Sequence, residues 1–147
     1  MIDYEFPGSF LYYVRLIKRL YERTLAEAGS RCGLSLPEAD VLTFLRENPG
    51  FDTARDVAMY REVSRAYVSK AVETLAAREY IEIRPDKADR RLQHLIITDK
   101  AKGATKILHE AQYAFYGKVT AALTADELLA MLSAIEKCAG SLVEGGL

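Results

Sequence analysis

The chain has 147 residues, half of them apolar, with a formal charge of -1 and two cysteines. That length fits one domain with a substantial core. The near-neutral balance gives no global signal for a nucleic-acid partner, and Cys32 and Cys138, with no CxxC and no nearby histidines, exclude a disulfide framework or a zinc site. No apolar run approaches the roughly 18 residues that a membrane span needs. Asp3 and Glu5 ahead of the first apolar run are unlike a secretory signal, so a cytoplasmic chain with no metal and no cofactor is expected.

Phe10 to Ala28 carries Phe10, Tyr13, Val14, Ile17, Leu20, Tyr21 and Leu25 at helical spacing, with Arg15, Lys18, Arg19 and Arg23 between them. The apolar band is wider than one stripe, so this helix is expected to meet two surfaces before Gly29 stops it. Ser35-Leu-Pro-Glu38 reads as a capping box with proline in the first turn. Val41, Leu42, Phe44 and Leu45 then give the buried side of a helix that ends near Asn48-Pro49-Gly50. Asp52 or Thr53 caps a short helix in which Ala54, Val57 and Ala58 face inward.

The next stretch, Ser64 to Arg91, organises the rest. Ser64 is an N-cap, and Val68, Val72 and Leu75 recur on one face that must be buried. The opposite face holds Arg65, Ala66, Ser69, Lys70 and Glu73, short, polar or basic, as suits a helix lying in a DNA major groove. Tyr80 to Arg84 and His94 to Ile97 alternate as two strands, with Ile81, Ile83, Leu95 and Ile97 facing inward, and leave Pro85 to Arg91 as a hairpin tip bearing Lys87, Arg90 and Arg91. A capped helix followed by a basic hairpin is the outline of a winged helix-turn-helix and points to a DNA-binding regulator. Charge distribution has the same sign: Arg55 to Lys102 holds 11 basic against 8 acidic residues, the remainder 9 against 13. Ordinary scatter of surface charge accounts for a difference of this size equally well.

Thr98 and Asp99 open a second long helix, expected to run to about Ala122 with Ala101, Ile107, Leu108, Ala111, Phe115 and Val119 inward. Thr124-Ala-Asp-Glu127 is another capping box, ahead of a helix defined by Leu128, Leu129, Leu132, Ile135 and Leu142 and frayed at Gly145 and Gly146. The fold class is therefore mainly α with a small β-hairpin wing. It reads as one domain over 1–147, with a winged helix-turn-helix core at 34–98 and long dimerisation helices at 8–30 and 98–145. Their apolar surface exceeds what the core covers, so an intertwined homodimer is expected, setting two recognition helices about 34 Å apart on one duplex. The competing arrangement is a monomer whose long helices cover their own core.

Element order and local motifs resemble the MarR family of bacterial transcriptional regulators over nearly the whole chain. Leu34-Ser-Leu-Pro-Glu-Ala-Asp-Val-Leu42 is similar to the pattern that opens that family's second helix, and Val68-Ser69-Lys70 with Leu75 to its recognition helix. Asp89-Arg90-Arg91 followed by Ile96-Ile97-Thr98 resembles the wing. Two departures are Glu79, where the family has glycine, and Gly103, where its glycine comes two residues earlier. The resemblance implies a dimer on a pseudo-palindromic operator, with Arg91 entering the minor groove and Asp89 orienting it. It also implies a cleft for a small aromatic or phenolic ligand, for which Tyr13, Tyr21, Tyr60 and Tyr113 are the candidates; core or interface packing is the competing role for each.

The residues themselves suggest Arg65, Ser69 and Lys70 for base or phosphate contacts, and Arg61, Arg84, Lys87 and Arg90 as phosphate neutralisers. Tyr67 is divided between a phosphate contact and packing on the neighbouring helix. Cys32 and Cys138 read as buried small apolar residues, and His94 and His109 as isolated. The chain is thus expected to be a homodimeric regulator, most readily a repressor. A winged-helix protein-interaction adaptor that does not bind DNA is the alternative, and no catalytic set suggests an enzyme.

Overall fold

The computed structural model describes residues 7–144. In chain order it consists of α1 (Phe10–Arg31), α2 (Leu36–Glu47), α3 (Ala54–Arg61), α4 (Arg65–Ala77), β1 (Ile81–Pro85), β2 (Gln93–Ile97), a 3-10 turn (Asp99–Ala101), α5 (Lys102–Thr120) and α6 (Ala125–Glu144). Asp3, Glu5, Gly145, Gly146 and the side chain of Leu142 lie outside the described residues. The chain is mainly helical with a two-stranded antiparallel hairpin, a winged helix-turn-helix. It forms two compact units, one reaching Tyr113 and the other starting at Ala114. No helix among the described residues is long and apolar enough to cross a membrane.

Caps set the helix starts in the first unit. Ser35 Oγ accepts from the Glu38 amide at 3.5 Å while the Glu38 carboxylate accepts from the Ser35 amide at 3.2 Å. Thr53, of the two expected candidates, caps α3, in a reciprocal pair with Asp56. Ser64 Oγ accepts the Tyr67 amide at 3.1 Å and starts α4. Each arrangement satisfies amides that the first helical turn leaves without partners.

The core joins Leu25 and Ala28 of α1 to Leu42 and Phe44 of α2, Val57 of α3, and Val68, Val72 and Leu75 of α4. Ile81 and Leu95 close it from the hairpin, and Ala104 and Leu108 from α5. Strand register pairs Ile81 with Ile97 and Ile83 with Leu95. The Leu95 amide also donates to the Asp52 carbonyl at 2.7 Å, which fixes β2 against the segment before α3.

Several expectations are corrected. Gly29 does not stop α1: it is buried inside the helix, where an added Cβ would lie 3.1 Å from the Leu34 carbonyl oxygen and 3.4 Å from the Ala39 Cβ. The stop is Gly33, at φ +65°, with the Leu34 amide returning to the Gly29 carbonyl at 2.9 Å. Ile83 keeps the inward register but is exposed, because it lines the open groove that separates this part of the hairpin from Ser69 and Glu73 of α4. The helix expected from Thr98 begins as a 3-10 turn. Glu79 sits at φ +58°, a conformation suited to glycine; its carbonyl accepts from Thr98 Oγ1 at 2.6 Å and its carboxylate pairs with Lys100 at 2.9 Å.

In the second unit the Thr124–Glu127 capping box forms as expected. Val119 is exposed, as are Leu129, Leu132 and Ile135, which leaves α6 with an uncovered apolar face. Cys138, expected to be buried, is exposed, whereas Cys32 is part-buried.

Candidate nucleic-acid interface

Two features share the surface around α4. Burial of Val68, Ala71, Val72 and Leu75 fixes how the helix is rotated, and that rotation turns Arg65, Ala66, Ser69, Lys70 and Glu73 outward. Ser69 and Glu73 line one shallow groove together with Ile83 and Gln93 of the hairpin, so the exposed face of α4 and the wing are neighbours.

Beyond the strands, Asp86 to Leu92 makes the wing tip. Asp86 Oδ1 accepts the amides of Ala88 at 2.7 Å and Asp89 at 2.9 Å, and the Asp86 amide donates to the Leu92 carbonyl at 2.9 Å. Asp89 Oδ1 accepts the Arg91 amide at 3.0 Å, so Asp89 orders the Arg91 backbone. Lys87, Arg90 and Arg91 are exposed and form no ion pair among the described residues; the same holds for Arg65 and Lys70. Arg55, exposed in the first turn of α3 and equally unpaired, is a further candidate that sequence reading did not single out. Only its place in a helix-turn-helix, not its local sequence, marks it.

Other basic residues of this region are committed within the protein. Arg61 lies over the Phe44 ring, 5.8 Å from its centroid, donates to Thr43 Oγ1 at 3.3 Å and sits 3.6 Å from Glu47. Arg84 is held by both oxygens of Glu82 at 2.8 Å. Arg78 donates to the Gly33 and Cys32 carbonyls and stacks on Tyr80, tying the end of α4 to the turn after α1.

A cavity of about 620 Å³ opens among α1, α2, α3 and the start of α4, with Lys18, Tyr21, Asp40, Tyr60, Arg61 and Tyr67 in its wall. The Tyr67 hydroxyl donates to Asp40 Oδ2 at 3.0 Å. Burial pushes the Asp40 carboxyl above its ordinary range, against the opposing pull of Arg61 and the Tyr67 hydrogen bond. Burial, then the neighbouring Asp40, likewise raises the Tyr67 hydroxyl. Tyr21 accepts from Gln112 Nε2 at 2.6 Å, and Tyr60 packs between Phe44 and Phe51. Tyr13 and Tyr113, the other two ligand candidates, are exposed and do not line this cavity.

His94, expected to be isolated, lies between two acids. Its Nδ1 is 2.7 Å from Asp52 Oδ1 and its Nε2 is 3.0 Å from Asp86 Oδ2. Asp52 first, then Asp86, raise the imidazole above its ordinary range, while the His94 hydrogen bond and the two loop amides hold Asp86 down at about 2.

The MarR family model matches residues 33–92, from the turn after α1 through the wing tip. No curated protein matches the chain. A MarR protein of Peptoclostridium difficile has the same fold with a TM-score of 0.77 at 21% identity, over 97% of this chain and 92% of that one. BpsR of Bordetella bronchiseptica, whose DNA binding is regulated by 6-hydroxynicotinic acid, gives 0.69 at 20% identity over 93% and 97%. S. aureus MepR in complex with DNA gives 0.71 at 17% identity over 93% and 99%. At these identities the likeness is one of fold. The stretch that matches the MarR family model, residues 33–92, is the winged helix-turn-helix of this chain.

Proposed function

We propose that the chain is a sequence-specific double-stranded DNA-binding transcriptional regulator, a repressor that acts as a homodimer on a pseudo-palindromic operator. The observation that carries this reading is the pairing of an α4 closed on one face and polar on the other with an adjacent wing tip whose Lys87, Arg90 and Arg91 are exposed and form no ion pair among the described residues. Arg65, Ser69 and Lys70 meet the major groove, while Tyr67, its hydroxyl given to Asp40, packs on α2 and holds the start of α4 in place. Arg91 enters the neighbouring minor groove from a tip ordered by Asp89, and Lys87 and Arg90 neutralise phosphate. Arg61, engaged with Thr43 and Glu47, contributes by holding α3 in place.

Dimerisation is supported by Val14, Ile17 and Leu20 of α1 and by Leu129, Leu132 and Ile135 of α6, apolar helix positions that the chain leaves open to water. A second copy covers them and repeats α4 one turn along the duplex. A small aromatic or phenolic ligand occupies the cavity beside Tyr21 and Tyr60, whose volume is that of a small-molecule site. Because α3 and the first turn of α4 form part of the wall, a ligand preferring one setting of these helices shifts DNA affinity.

The test is binding to a labelled duplex taken from beside the chain's own coding region, over a series of salt concentrations. Protection of two half-sites about one helical turn apart, with affinity falling steeply as salt rises, is the expected result. Salt-insensitive or absent duplex binding supports the protein-interaction adaptor instead.

A further inference from the structure

We propose that His94 is the positioning residue of the wing: as an imidazolium it ties the loop bearing Lys87, Arg90 and Arg91 to the helix-turn-helix, through Asp86 on one side and Asp52 on the other. The effect on DNA rests on the function proposed above; the clamp itself does not.

Geometry requires the doubly protonated ring. Both nitrogens face carboxylate oxygens, at 2.7 and 3.0 Å, and a carboxylate only accepts. A neutral ring leaves one nitrogen lone pair against an anionic oxygen, a repulsive contact. The two ends of the clamp differ. Asp52 is also held to β2 through its carbonyl, by the Leu95 amide at 2.7 Å, so it stays in place when the side-chain link is lost. Asp86 is the loose end, and its other oxygen carries the Ala88 and Asp89 amides that shape the tip. Releasing the Asp86 carboxylate therefore releases the turn that displays the wing cations.

The charged groups around the ring are the two acids, Arg84 directly across the ladder, and Lys87, which lines the same shallow depression. The Arg84 guanidinium is taken up by Glu82, so it opposes ring protonation weakly, and the acids touch the ring directly. His94 is accordingly raised above the ordinary histidine value of about 6.5. The clamp is complete below that ordinary value and is lost as pH rises through the raised one. Asp86, held near 2, stays ionised across this window, so the transition belongs to His94. Phosphate brought near the wing favours the imidazolium further, so duplex binding takes up a proton.

The test is a titration of the whole chain from about pH 5 to about pH 9, spanning the ordinary histidine value. It follows the His94 ring proton and the Ala88 and Asp89 amides by NMR, in the wild type, His94→Gln and Asp86→Asn, with duplex affinity measured at fixed salt. The expected result is a His94 midpoint above the ordinary value, shared by both amides and lowered by Asp86→Asn. Affinity then falls through that midpoint by up to about tenfold per pH unit, the limit for one linked proton, and His94→Gln flattens the profile. An unshifted midpoint, silent amides, or an unchanged profile in His94→Gln overturns the clamp. If His94→Gln does not fold, the wild type and Asp86→Asn decide. A chain that binds no duplex at any pH removes the DNA-binding reading, and the amide titration still judges the clamp.

Discussion

Burial reverses along α1. Its last turns place Leu25, Ala28 and Gly29 in the core, whereas its first turns leave Phe10, Leu11, Val14 and Ile17 about half exposed. α4 has the opposite economy: Val68 and Leu75 are fully buried, and its outward face is polar. The comparison separates two uses of apolar sequence. In the winged helix it closes a core that the chain supplies by itself, and at the start of α1 and along α6 it leaves apolar side chains open to water.

Substitutions that act on one region and spare the other test this division. The largest effect is expected from Ile17→Asp combined with Ile135→Asp. The pair should turn a dimer into a monomer by analytical ultracentrifugation and reduce operator affinity to the non-specific level, a loss of about 4 to 10 kcal/mol, with helix content kept. Retained dimer and affinity would reassign both apolar faces. Next is Leu75→Ala at the centre of the core, expected to lower unfolding free energy by about 2 to 5 kcal/mol in denaturant titrations. A change within experimental scatter would mean that the core is not closed as described.

Smaller, and confined to binding, is Arg91→Ala: about 1 to 3 kcal/mol weaker for operator at matched salt, with the melting temperature unchanged. Arg78→Ala should do the reverse, lowering stability through the freed Gly33 and Cys32 carbonyls while leaving the salt slope of binding alone. Identical behaviour of the two variants would erase the distinction between displayed and committed cations. The smallest effect is expected for Glu79→Gly. It relieves a left-handed residue costing about 1 to 2 kcal/mol against about 0.5 to 1 kcal/mol of added chain entropy, so thermal melting should move up slightly. A clear fall would show that the Lys100 pairing outweighs the strain.

These contrasts also mark what could be read from residues alone. Ser35 with Glu38, and Ser64, act on amides three residues away, so their sequence carries the whole interaction and the helix starts are legible. The period-2 pattern likewise gave the hairpin register. What was not legible depends on distant partners. Gly29 resembles a helix stop until the Leu34 carbonyl and Ala39 are seen to press against it. Arg61 reads as a surface cation, but Phe44, Thr43 and Glu47 of the preceding helix turn it inward. The role of His94 needs Asp52, which is 42 residues earlier in the chain. Along the wing, Asp89 could be linked to Arg91 by motif, but not to its backbone amide rather than its guanidinium.

The central claim is that two copies of the α4 and wing surface grip one duplex together. Its most direct test is the mass of the protein–operator complex, by light scattering or native mass spectrometry, on a duplex whose half-sites lie about one turn apart. The account predicts two chains per duplex, and loss of the two-chain species when about half a turn of DNA is inserted between the half-sites. One chain per duplex, or a two-chain complex indifferent to that insertion, would contradict it.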